Sequence, residues 1–135
     1  MMTADLSQAT TSNSTSPHGA VLDTAYLARL NFAARPERLR RLIATFEATS
    51  DRQLQGLERA IATDDHDEAY AQWLHDLRAS SLNLGALRLK QACVQAETAT
   101  DGVTRRQHLA DIRQALQQTQ TALLDYERSL GEQTG

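Results

Sequence analysis

One stretch of this chain, WLHDLRASSLNLGA from Trp73 to Ala86, sets a histidine inside what reads as a helix. A solvent-facing imidazole can act as a nucleophile. With an unperturbed pKa near 6.5, imidazole is mostly neutral at pH 7 and keeps a lone pair for attack. Which way His75 points therefore decides whether chemistry is open to it. Counting about 100° per residue from His75, Tyr70, Trp73, Leu77, Ser80, Ser81 and Leu84 fall between about 140° and 240° and form the core face. Leu74 falls at its edge. Ala71, Gln72, Arg78, Ala79 and Leu82 share the opposite face with His75. One turn before and one turn after the histidine stand alanines, so nothing bulky shields the ring. An exposed leucine, two small residues and one cation beside an imidazole describe a docking surface better than a solvated face.

The elements that position this face are helical. The 135 residues are 41% apolar but only 4% aromatic, so aliphatic side chains and alanine must fill one core. From Val21 onward the apolar period is that of helices. The spacing predicts a short helix over about Leu22–Asn31, with Leu22, Tyr26, Leu27 and Leu30 on one side. A long helix follows from Pro36, a good first-turn residue, carrying Leu39, Leu42, Ile43, Phe46, Leu54, Leu57 and Ile61. The stretch Thr63–Glu68 interrupts it, and Asp64 or Asp65 suits the cap of a third helix running to Leu84, closed by Gly85. A fourth helix over about Ala86–Ala99 turns Leu89, Cys93 and Ala96 inward. After the Asp101-Gly102 turn, a last helix over about Thr104–Leu130 presents Leu109, Ile112, Leu116, Thr119, Leu123, Tyr126 and Leu130 at alternating three- and four-residue spacing. The expected fold is all-α: an antiparallel up-down-up-down four-helix bundle with a short N-terminal capping helix. Residues 1–20, eight of them Ser or Thr, read as a disordered tail before a bundle over residues 21–135.

Composition removes several functions. A net charge of −3 without a basic stripe gives no support to nucleic-acid binding. No apolar run approaches the roughly 20 residues of a membrane span, and the first residues lack the basic start and apolar centre of a signal peptide. The single cysteine, Cys93, permits no internal disulfide and reads as a small core residue. A soluble cytoplasmic protein is expected. A di-metal bundle would need Glu-x-x-His pairs on facing helices, and there are none. His66 among Asp64, Asp65 and Asp67 reads as a solvated capping loop, His18 as part of the tail, His108 as solvated. No metal site is expected.

The run from His75 to Ala86 resembles the signature of histidine-phosphotransfer (HPt) domains: histidine, any residue, leucine, a cation, glycine, two small residues, and a leucine-glycine pair ending the helix. His75, Leu77, Arg78, Ser80, Ser81, Leu84 and Gly85 match without a gap. The resemblance extends over about Leu22–Leu130, with Leu89, Cys93 and Ala96-Glu97 similar to the family's next helix. The usual glycine one turn after the histidine is Ala79 here, and the glutamine that many members carry further on is Glu97. The resemblance implies a phosphorelay. His75 would accept a phosphoryl group from one receiver-domain aspartate and pass it to another, without kinase activity of its own. Arg78 would stabilise the phosphoryl oxygens, and Glu97 would orient the imidazole by accepting its Nδ1 proton. Ala71, Gln72, Ala79 and Leu82 would be covered by the partner. Implied partners are response-regulator receivers and a hybrid sensor kinase; no bound cofactor is implied, since Mg²⁺ comes with the receiver. A freestanding monomer is expected. Two alternatives share the face: a non-catalytic helical adaptor, and a histidine-kinase dimerisation domain. The latter's motif has proline where this chain has Ser80, and no ATP-binding segment follows.

Overall fold

A computed structural model describes residues 20–63 and 67–134. The proposed tail, His18, the Asp64/Asp65 cap and His66 lie outside the described residues, apart from Ala20. Among the described residues five helices follow in order: α1 (Thr24–Arg29), α2 (Pro36–Thr63), α3 (Asp67–Leu84), α4 (Leu87–Ala96) and α5 (Gly102–Thr134). No strand occurs among the described residues. Helix α2 packs on α3 and α5, and α4 packs on α3 and α5, so four helices close into a ring. Connections of a few residues reverse the chain between neighbours, as an antiparallel bundle requires.

The core is aliphatic, with Leu27, Leu74, Leu77, Leu89, Ile112 and Leu123 wholly buried. The stripe predicted on the last helix is present: Leu109, Ile112, Leu116, Thr119 and Leu123 are buried, with Tyr126 and Leu130 packed against them. Thr119 fits because its hydroxyl donates to the Ala115 carbonyl at 2.7 Å, the usual way a hydroxyl is accommodated inside a helix. Helix ends differ from the expected ones where capping overrides hydrophobic period. Helix α5 begins two residues early because the Asp101 carboxylate accepts from the Thr104 backbone N–H at 2.8 Å, an N-cap bond. Helix α1 ends at Arg29, and Asn31 takes a left-handed φ of 59°. Leu30 is therefore turned out to solvent rather than inward.

The end of α3 is held from two sides. Gly85 has φ 74°, Ala86 N–H donates to Ser81 at 2.8 Å and Gly85 N–H to Leu82 at 3.2 Å. This is a Schellman closure, whose left-handed residue favours glycine. The segment before α1 lies over the turn: Asp23 N–H donates to the Gly85 carbonyl at 2.8 Å, and the Tyr26 hydroxyl donates to the Asn83 carbonyl at 2.9 Å. A Cβ on Gly85 would come within 2.9 Å of the Tyr26 ring, so backbone conformation and space both require glycine.

At the opposite end of α3, Arg105 of α5 reaches inward. Its guanidinium lies 4.1 Å from the Tyr70 ring centroid, its Nε donates to the buried Ala99 carbonyl at 3.1 Å, and Nη1 is 2.9 Å from the exposed carboxylate of Asp67. The Tyr70 hydroxyl in turn donates to the Ala96 carbonyl at 2.7 Å. The Asp67 pair contributes little because its acid is in water. The ring contact and the carbonyl bond carry the rest, so Arg105→Ala is expected to cost about 2–3 kcal/mol. The measurement is the denaturant midpoint at unchanged m-value. His108, one turn further along α5, was expected in solvent. It is half-buried, and its Nδ1 is enclosed with no hydrogen-bond partner among the described residues.

Candidate functional site

The buried residues of α3 are Tyr70, Leu74, Leu77, Ser81 and Leu84, while Trp73 and Ser80 are half-buried. The true core arc is thus rotated toward Leu74, which is wholly buried rather than at the edge. The reason is the ring of helices: α3 is gripped by α2 on one flank and α4 on the other, so burial extends past the arc the wheel alone suggests. His75 is exposed, and so are Ala71, Gln72, Ala79 and Leu82, the last 53% exposed. These five residues share one open face. Among the described residues no side chain hydrogen-bonds or ion-pairs with His75.

Arg78 and Glu97 are brought together. Arg78 Nη1 lies 3.1 Å from Glu97 Oε2, each side chain being about one-third exposed (35% and 39%). The Glu97 carboxylate, expected to accept a proton from the imidazole, is engaged with the cation one turn after the histidine. Helix α4 stops at Ala96, three residues before the predicted end, which makes Glu97 its C-cap and swings its side chain toward α3. Beneath this pair Cys93 is wholly buried. Burial, reinforced by the Glu97 charge and opposed by Arg78, pushes its thiol up to about 12. A raised pKa leaves the group protonated at every pH below that value, and only the thiolate reacts. Native protein at pH 8 is therefore expected to resist iodoacetamide over hours while denatured protein alkylates within minutes, a contrast read directly as adduct mass.

The chain's spacing concealed a clamp on the histidine turn. Gln53 of α2 donates from Nε2 to the Asp76 backbone carbonyl at 3.3 Å and accepts from the Ser80 hydroxyl at 3.1 Å. Gln72 donates to the Asp76 carboxylate at 2.9 Å on the solvent side. The backbone around His75 is thus tied to α2 by one side chain. A signal for it existed: Phe46, Ser50, Gln53, Leu57 and Ala60 continue the four-three spacing of a bundle seam, with polar residues at its centre. Ser50 is wholly buried, whereas Leu54, expected in the core, is half-buried. Two residues further along the seam's edge, Gly56 is buried against the Trp73 indole. Among the described residues no group of His, Cys, Asp and Glu could hold a metal ion.

The described residues form a helical bundle with His75 on an open face, a cation one turn on and small residues on either side. The chain belongs to the Hpt domain family, whose model matches residues 41–127. That span covers most of α2 through most of α5 and contains His75, Arg78 and Glu97. Membership assigns the chain to histidine phosphotransfer in two-component systems, a family that interacts with receiver domains and kinases. Searches of curated proteins and of solved structures give no match. No helix among the described residues is long and apolar enough to cross a membrane.

Proposed function

We propose that this chain is a cytoplasmic, monomeric relay that carries a phosphoryl group between receiver-domain aspartates on His75. The observation that supports it best is the exposure of His75 between Ala71 and Ala79 on the face that also carries Leu82. A receiver can approach that face until its aspartyl phosphate lies in line with the imidazole. The His75 Nε2 lone pair then attacks phosphorus: the N–P bond forms, the acyl P–O bond breaks, and the aspartate leaves as a carboxylate. The ring proton on Nδ1 is shed to water. Charge neutralisation matters more than covalent assistance in such transfers, and Arg78 supplies it from this chain. Mg²⁺ held by the receiver neutralises the remaining phosphoryl charge. Ala71, Gln72, Ala79 and Leu82 form the contact surface, and the reverse reaction on a second receiver returns the chain to its starting state.

The test is to mix the chain with labelled, phosphorylated receivers from its own genome. Label is expected on the chain, acid-labile and base-stable, at His75 in the peptide map. Binding without transfer from any receiver would make the bundle an adaptor and end the relay reading.

A further inference from the structure

Arg78 stands one helical turn after the proposed phosphoacceptor on the same helix, and residues three apart on a helix are surface neighbours. In the unphosphorylated chain it is already engaged, with Glu97 at 3.1 Å. Glu97 is held there against a gradient. It is the C-cap of α4, where the helix dipole is negative and a carboxylate is unfavourable. Arg78 offsets that repulsion, so a second anion drawing on Arg78 leaves Glu97 beside both the helix end and the new charge. A phosphoryl group carries about −1.5 to −2 at pH 7.

We infer that Glu97 and the phosphoryl group on His75 compete for Arg78, so that Glu97 holds the transfer equilibrium toward the receiver. The inference rests on the relay reading and gives Glu97 a regulatory part in it. Glu97 is a positioning residue for Arg78, acting on phosphoryl transfer through the cation. Formation of the N–P bond, with the aspartate leaving as carboxylate, turns Arg78 from Glu97 toward the phosphoryl oxygens. Return transfer lets the ion pair re-form. A chain that yields its phosphoryl group readily suits an intermediate that must not retain it.

The experiment equilibrates the full chain with one phosphorylated receiver and measures the ratio of phosphorylated chain to phosphorylated receiver. Glu97→Gln is expected to raise that ratio roughly three- to tenfold at about 0.1 M salt, the size of one charge acting on a phosphoryl group at the protein surface. The gain is expected to shrink toward unity at about 1 M salt, where charges are screened within a few ångströms. Glu97→Asp, which keeps the charge, is expected to stay near the parent ratio. In an Arg78→Gln background the Glu97→Gln gain is expected to fall, because the contested cation is gone. An unchanged or lower ratio in Glu97→Gln, or a gain indifferent to salt, overturns the inference and leaves the relay intact. Failure of every receiver to load the parent chain overturns both.

Discussion

His75→Gln is expected to abolish phosphoryl uptake while leaving the fold as it is. The side chain is exposed and makes no hydrogen bond or ion pair among the described residues, so its replacement removes no packing and no buried partner. Surface changes of that kind stay within about ±0.5 kcal/mol. Glutamine is polar and a good helix former, so α3 keeps its propensity. It has no nucleophilic nitrogen, however, because its amide lone pair is delocalised. Uptake of label from a phosphorylated receiver should fall to background, while the thermal midpoint and the receiver affinity remain near those of the parent. Residual acid-labile label on the variant would move the phosphoacceptor to another histidine; loss of the fold would show that His75 is structural.

The second large effect concerns stability. Gly56→Ala replaces a poor helix former by the best one in the middle of α2, a change worth about 1 kcal/mol in an exposed helix. Here the sign is expected to reverse. An alanine Cβ at this position would lie 2.5 Å from Trp73 Cδ2 and Cζ2 and closer still to Cε2, contacts that no Cβ sustains. The obstacle is the rigid indole itself, so α2 and α3 must part or Trp73 must leave its place. Overpacking of this kind costs about 1–3 kcal/mol, roughly 5–10 °C in thermal midpoint for a domain of this size. Trp73 lies two residues before His75, and the displacement would also loosen the Gln53 bonds to Asp76 and Ser80. Trp73→Leu in the Gly56→Ala chain should recover part of the loss, a coupling measured by the double-mutant cycle. A Gly56→Ala chain more stable than its parent would show that the helices part at no cost.

Much of this molecule was legible in the chain itself. Helical period, Pro36, Gly85 and the Asp101-Gly102 turn determined the number and order of the helices, because these signals act within a few residues. The turn of α3 that exposes His75 with Ala71, Gln72, Ala79 and Leu82 was legible for the same reason: a helix's faces follow from its period alone. Contacts between helices were not. That Glu97 meets Arg78, that Gln53 clamps the histidine turn, that Trp73 needs glycine at position 56 and that Arg105 stacks on Tyr70 each depend on how two helices approach and rotate. That approach is decided by the packing of all four together. Leu74 shows the difference most simply, since one period placed it at an edge and two neighbouring helices buried it. The exposure of His75 was thus a local property of the sequence, whereas the carboxylate set against Arg78 was a decision of the tertiary fold.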